Sequence, residues 1–531
     1  MKNKYLIACL LLIVSQVSAQ KKDYNIKLFG AKADGRTNNA IVIQNLIDKA
    51  SAAGGGRIIV PPGNYMTGTL ELKTGVDLHI ELGAVLLGST YVKDYRKVAG
   101  RAALIMANGQ SNIAISGEGI IDGQGQELML DIFKQLRSGA LQSDTIWLVK
   151  RPGVGRALGV IFYKCKGIKV TDITLKNTTD WVQDYRGCEN LVIDRIKVQS
   201  TAYWNNDGLD VTDSKHVKIT NCFINASDDA LCFKSEDLNS DGCDDIVVDN
   251  CTLRSSANGL KFGTANGAGF RNFKITNLTV YDTYRSAIAL ESVDGGVMEN
   301  IDIRNVDAKN TGNAIFIRLG HRNKTGPVST LNGIYIANVT AEIPLYKPDQ
   351  GYPIEGPPDH LRPGFDKMPI RPSHFHIYGH PFLPYNLVPS SIVGIPGHPV
   401  KNVVMENINI VYGGRASKEI AQVPLDKIHL IPENEEGYPE FSMFGELPAW
   451  GFYMRHAEGI QFKNFKISYK DADFRPAMVF DDVKNVQLND VQIPSYQELP
   501  MLYFNNSKDV IINKLVIPIA QDKAIQRVNK N

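Results

Sequence analysis

The stretch Cys243-Asp244-Asp245-Ile246-Val247-Val248-Asp249-Asn250-Cys251-Thr252-Leu253 decides the fold. Apolar residues alternate on each side of a short polar bend, giving strand, Asn/Asp bend, strand, each with period two. The same offsets recur along the chain. From Cys165 they give Ile168, Val170, Ile173 and Leu175; from Cys188, Leu191, Ile193, Ile196 and Val198; from Ser214, Val217, Ile219, Cys222 and Ile224. Later origins fall at Phe270, Met298, Leu331, Val400, Ala457, Val483 and Ser507. From Cys165 to Leu331 the origins lie 23, 26, 29, 27, 28 and 33 residues apart. One such unit cannot bury its own apolar side chains, whereas stacked units can. Helical repeats of similar length would show a 3.6-residue period and few β-branched residues. The reading is an all-β chain, a parallel β-helix, right-handed by the crossover preference.

Within that repeat, Asp207 stands in Asn205-Asn206-Asp207-Gly208, and Asp228 and Asp229 follow a little less than one period later. Successive coils bring such residues side by side on one outer face. Asp and Asn beside Gly also cap turns, but three carboxylates in phase with the repeat suit acid–base work on a glycosidic bond. One carboxyl keeps a proton and another is ionised to activate water.

The N-terminus reads as a secretory signal over residues 1–19. Lys2 and Lys4 precede a short apolar run, Tyr5 to Val14, and Val17-Ser18-Ala19 suits cleavage. A secreted or periplasmic chain is expected. Removing Lys2 and Lys4 takes the formal net charge from +2 to zero, so neither nucleic acid nor membrane is an expected partner. Cys165, Cys188 and Cys243 share one repeat phase, and Cys222 and Cys251 another, which suits stacked buried thiols as well as bridges. No zinc spacing is apparent, and neither metal nor cofactor is expected.

Residues 20–531 read as a single domain. Thr37 to Ala53 reads as an amphipathic helix capping the open end of the solenoid, ended by Gly54-Gly55-Gly56. Loop insertions are expected at 125–160, 341–400 and 412–456. The second is rich in proline and carries His374, His376 and His380, read as surface or sugar-contacting imidazoles; the third carries Tyr438-Pro439-Glu440-Phe441.

Leu28-Phe29-Gly30-Ala31-Lys32-Ala33-Asp34-Gly35 and Val60-Pro61-Pro62-Gly63-Asn64-Tyr65 resemble the start of pectinase-type β-helices. Asn205-Asn206-Asp207-Gly208 resembles the Asn-x-Asp-Gly motif of glycoside hydrolase family 28, the polygalacturonase family. Asp228-Asp229, followed by Lys234-Ser235, resembles that family's paired-Asp motif. The resemblance implies an inverting hydrolase of pectic polysaccharide or oligosaccharide, with Asp228 as general acid and Asp207 and Asp229 holding the water. Asn205 and Lys234, within or beside those motifs, are candidate substrate contacts, as are Asn258, Lys261, Glu291 and Arg318 further along. Strands of adjacent coils lie about 4.8 Å apart, closer than the roughly 6.5–9.5 Å usual for inversion. Two of the three Asp sharing one water would reconcile the two.

Two departures matter. The family's Gly-His-Gly histidine falls on Asn258, and its Arg-x-Lys pair falls on Ala289 and Glu291. The pattern looks more like branches acting on rhamnogalacturonan or other decorated pectins. If Leu231, Phe233, Leu260, Phe262, Ile288, Leu290, Ile315 and Ile317 point inward, then Lys234, Lys261, Glu291 and Arg318 point outward. Glu291 is then an ion-pair partner of Arg318 or an acceptor for a sugar hydroxyl. Lys261 is the stronger candidate for binding a substrate carboxylate. A polysaccharide lyase, with Lys234 or Lys261 as base, and a non-catalytic carbohydrate-binding β-helix are the alternatives.

Overall fold

The computed structural model describes residues 22–143, 152–201, 205–346, 348–352, 386–414, 423–494 and 500–528. The expected leader, residues 1–19, and His374, His376 and His380 lie outside them. Among the described residues, no helix is long and apolar enough to cross a membrane.

The strands form a right-handed parallel β-helix, and its register is the one the repeat predicts. Ile168 pairs with Leu191, Leu191 with Val217, Val217 with Ile246, Ile246 with Phe273 and Phe273 with Ile301. The column continues through Ile334, Val403, Ile460 and Val486 to Val510. A continuous apolar core results, running from Tyr24 to Ala524. Period-two alternation makes this possible: each strand sends every second side chain inward, where it meets its counterpart one coil away.

The bends need residues that tolerate a left-handed backbone, and Asn supplies them. Asn221, Asn250, Asn277, Asn305, Asn338, Asn407 and Asn464 all have φ between +46° and +58°. Their side-chain amides stack: Asn305 Nδ2 donates to Asn277 Oδ1 at 3.0 Å, and Asn338 donates to Asn305 at 2.8 Å. Asn407 donates to Asn338, and Asn464 to Asn407, each at 2.9 Å. An amide both donates and accepts, so each rung satisfies the next.

The capping helix is Ala40–Ala52, shorter than expected at its start. Thr37 is bound to the Asp34 carboxylate instead, and Asn39 uses its side chain on Lys32 and Met66. Ile43, Leu46, Ile47 and Ala50 close the core, while Ile41 faces solvent. The loop expected at 125–160 is partly helical. Gly125–Ser138 is a helix whose Leu128, Met129, Ile132 and Phe133 pack on Ala102 and Ala157. Those four residues follow helical spacing, and the ladder then resumes at Ala157–Tyr163.

The other insertions are shorter than expected. Ser390–Val393 belongs to the ladder, pairing with Phe316–Arg318 on one side and Phe452–Arg455 on the other. Val400–Gly414 and Phe452–Asp471 are also ladder strands. Between them, residues 423–450 form a strap whose Ile428, Ile431, Phe441, Met443, Phe444 and Leu447 pack with Ala289, Phe316, Val393 and Tyr453 of the ladder strands. All six described cysteines are free and buried. Their thiols donate to backbone carbonyls: Cys165 to Tyr163 O at 3.4 Å, Cys188 to Phe162 O at 3.3 Å, Cys222 to Thr220 O at 3.1 Å and Cys251 to Asp249 O at 3.5 Å.

Candidate active site

Asp207 lies just before strand Leu209–Thr212, and Asp228 and Asp229 just before Leu231–Ser235. Leu209, Leu231, Leu260 and Ile288 are in register, so the turns before them stack. The backbone ties them: Gly208 N–H donates to Asp229 O at 2.8 Å, and Ala230 N–H to Asn258 O at 2.9 Å. Gly208 is required by space, because a Cβ there would sit 2.3 Å from Ile224 Cγ2 and 2.7 Å from Ala230 O. This contact explains the Gly of the Asn-x-Asp-Gly motif. Asn206 points back into the coil, donating to Thr178 O at 3.0 Å and Asp180 O at 2.9 Å. Asp207 is thereby left to face the other way.

The result is a convergence of Asp207, Asp228 and Asp229, with a carboxylate oxygen of each within 4.8 Å of the others. Each residue is 3% exposed. Asn205 Nδ2 donates to Asp228 Oδ2 at 3.4 Å, and Asn258 Nδ2 donates to Asp229 Oδ1 at 2.8 Å. Asn258 Oδ1 accepts from Ser286 N–H at 3.2 Å, so the residue in the family's histidine position locks two turns together.

Cations enclose the cluster. Lys234 Nζ lies 3.1 Å from Asp207 and 2.8 Å from Asp210, and 4.5 Å from the centre of the Trp181 ring. Lys261 Nζ lies 3.1 Å from Asp229 and 3.6 Å from Glu291. It also donates to Tyr438 Oη of the strap at 3.2 Å. Arg156 lies 3.5 Å from Asp180 and donates to Asn205 Oδ1 at 3.3 Å.

Burial, then the neighbouring Asp210, pushes the Asp207 carboxyl well above its ordinary range despite Lys234. Burial likewise raises Asp210 to about 7. Burial opposes ionisation of Asp229 too, but Lys261, Lys234 and Arg285 outweigh it and hold that carboxyl low. Both lysines are held firmly protonated, since Asp210 beside Lys234 and Asp229 beside Lys261 outweigh the cost of burial. The two carboxyls are thus driven apart, Asp207 upward by burial and Asp229 downward by the surrounding cations.

Two expectations about charge are corrected. Glu291 does not pair with Arg318. Arg318 donates to the carbonyls of Gly394, Glu433 and Asn434 at 2.9, 2.7 and 3.0 Å, anchoring the strap. Glu291 instead faces Lys261 and accepts from Thr264 Oγ1 at 3.3 Å. Lys261, 1% exposed between two of the chain's own carboxylates, is not presented to a substrate carboxylate. The two lysines also occupy different rows: Lys261 is level with Cys232 and Ala289, and Lys234 with Thr212. The inward set is confirmed, every member being fully buried in the core.

Sequence reasoning assigned no role to Asp210, Arg285 or Glu440. Asp210 carries a usable signal, since it alternates outward in the same strand as the core residues Leu209 and Val211. Glu440 carries none, because only the folded strap brings it to Arg285, 3.1 Å away.

The family model for glycosyl hydrolases family 28 matches residues 51–343, more than half of the chain. An exo-poly-alpha-D-galacturonosidase of Dickeya chrysanthemi is 25% identical over 364 residues, covering 60% of this chain and 60% of that protein. A probable polygalacturonase of Vitis vinifera is 24% identical over 345 residues, 61% of this chain and 62% of that protein. The chain therefore spans about three fifths of the length of these curated relatives. Among solved structures, a hyperthermoactive exopolygalacturonase from Thermotoga maritima superposes with a TM-score of 0.56 at 22% identity, over 74% of this chain and 88% of that one. At that identity the likeness speaks for the fold. The family match and the stacked Asp motifs agree, and the chain belongs to glycosyl hydrolase family 28.

Proposed function

We propose that this chain is a secreted or periplasmic hydrolase that cleaves a glycosidic bond in a pectic polysaccharide or oligosaccharide by single displacement. The observation that carries this reading is the buried convergence of Asp207, Asp228 and Asp229 within 4.8 Å. Asp228 gives its proton to the glycosidic oxygen as the bond to the anomeric carbon breaks. A water attacks that carbon from the opposite face, and its proton passes to Asp229, the carboxyl held ionised by Lys261. Asp207, held by Lys234, orients that water. No separate carboxylate is needed as nucleophile, which favours inversion.

The substrate preference is for rhamnogalacturonan-like or otherwise decorated pectin over unbranched polygalacturonate. Supporting it are Ala289 and Glu291 in place of the cationic pair and the absorption of Lys261 into internal contacts. The strap, seated on Lys261 through Tyr438, narrows the cleft and favours short or chain-end substrates. A lyase would need a neutral Lys as base, whereas Lys234 and Lys261 are both held protonated.

Proton NMR of early product across rhamnogalacturonan, homogalacturonan and pectic oligosaccharides tests the reading. The inverted anomer should appear first. A trapped glycosyl–enzyme adduct would overturn the single displacement, and an unsaturated product absorbing in the ultraviolet would overturn hydrolysis. A rapid viscosity drop on polygalacturonate would overturn the substrate preference.

A further inference from the structure

Lys234, Lys261 and Arg156, beside the three Asp, are each matched to a carboxylate of this chain. Lys234 takes Asp207 and Asp210, Lys261 takes Asp229 and Glu291, and Arg156 takes Asp180. Arg285 stands apart in where its partner comes from. It leads the turn of the next coil, its N–H bound to Ala257 O at 2.8 Å, and its guanidinium lies within the field of Asp228 and Asp229. Its carboxylate, Glu440, belongs to the strap. The pair is 3.1 Å apart, with Arg285 3% and Glu440 2% exposed.

Glu440 is held there from several directions. Phe441, Met443, Phe444 and Leu447 on its C-terminal side are buried in one cluster with Ala289, Phe316 and Val393 of the coil. Upstream, Arg318 binds the carbonyls of Glu433 and Asn434, and Arg455 donates to Ile431 O at 2.8 Å. A sugar carboxylate seeking Arg285 would have to displace a buried ion pair, and breaking such a pair is costly.

We propose that Glu440 is a specificity-determining residue: it supplies from within the chain the carboxylate that Arg285 pairs with, so the sugar ring held against Asp228 and Asp229 is a neutral one. This rests on the reading of the three Asp as a glycan-cleaving site. It adds that the galacturonate of a decorated pectin lies on the far side of the scissile bond or further out. A ring bearing a carboxylate at this position meets Glu440 as a like charge, with Arg285 already engaged. A neutral ring meets no such repulsion, and a like charge fixed in the site is one way to reject a competitor.

The test uses titration calorimetry on the full chain carrying Asp228→Asn, with methyl galactoside and methyl galacturonoside as probes. These differ only in carrying a hydroxymethyl or a carboxylate at C6. The parent should bind the neutral glycoside at least about tenfold more tightly. Glu440→Gln should tighten binding of the galacturonoside by about tenfold or more while changing the galactoside less than about threefold. Glu440→Asp, which keeps the charge, should behave like the parent. A parent that prefers the galacturonoside overturns the proposal, as does a folded Glu440→Gln variant with no gain in galacturonoside binding. Hydrolysis assays on the wild type separate the two readings. Inactivity on every pectic oligosaccharide would defeat the hydrolase reading, while the difference between the variants still reports on Glu440.

Discussion

Asn277, Asn305, Asn338, Asn407 and Asn464 stack at one corner of the coil, and Asp207, Asp228, Asp229 and Asn258 converge at another. Both arrangements follow from the same parallel register. The Asn stack faces solvent and completes itself, because each amide donates to one neighbour and accepts from the other. Carboxylates only accept when ionised, so a stack of them cannot satisfy itself. The chain answers with Lys234, Lys261 and Arg285, and with Glu440 of the strap beside Arg285. A solenoid thus turns one geometric rule into scaffold where the side chains are amphoteric. Where they are charged, the same rule produces a strained electrostatic site.

If the charged corner depends on imported cations, removing one should be the most damaging change. Lys234→Met leaves Asp207 and Asp210 buried without their ammonium. It should cost about 3–5 kcal/mol of stability in urea unfolding, and a loss below about 1 kcal/mol would show that the two carboxyls simply take up protons. Asp→Asn at 207, 228 or 229 keeps the shape and removes the chemistry. Each should lower the rate on the active pectic substrate by at least about a hundredfold, in line with general acid–base contributions, with native circular dichroism. Near-wild-type turnover of Asp228→Asn would break the contrast between the two corners.

The third test is electrostatic. Burial raises Glu291 from an ordinary 4.5 to about 7, so the folded chain holds a proton there that the unfolded chain releases earlier. Stability should therefore fall as pH rises from about 4.5 to 7, with Asp210 contributing in the same direction. Glu291→Gln should flatten that decline by about 2 °C in thermal midpoint; an unchanged slope would mean Glu291 is ionised throughout. The smallest effect belongs to the Asn corner. Asn305→Gly keeps a residue at ease at φ +58° but removes two rungs. It should cost only about 0.5–1.5 kcal/mol and leave the rate unaltered, as measured by chemical denaturation beside an activity assay.

The ladder was legible because its signal is local and repeated: Ile168 through Val510 fall in one column at the predicted offsets. The helix Gly125–Ser138 was missed because it interrupts the repeat, although Leu128, Met129, Ile132 and Phe133 carry a helical period. The three Asp were legible for the same reason as the core, since their turns inherit its register. The pairing of Glu291 with Arg318 was inferred from adjacency on successive coils. It failed because adjacency along a face does not fix where long side chains reach: Arg318 turns to the carbonyls of Gly394, Glu433 and Asn434.

By itself, then, the order of residues determined the coil, its register, the Asn corner and the convergence of Asp207, Asp228 and Asp229, because each follows from period-two alternation stacked in parallel. The tertiary structure alone decided how the charges are shared. Lys261 is spent on Asp229 and Glu291, and Glu440 reaches Arg285 from 155 positions further along the chain. Ion pairing acts through space over a few ångströms, whereas a repeat can report only what lies one coil away.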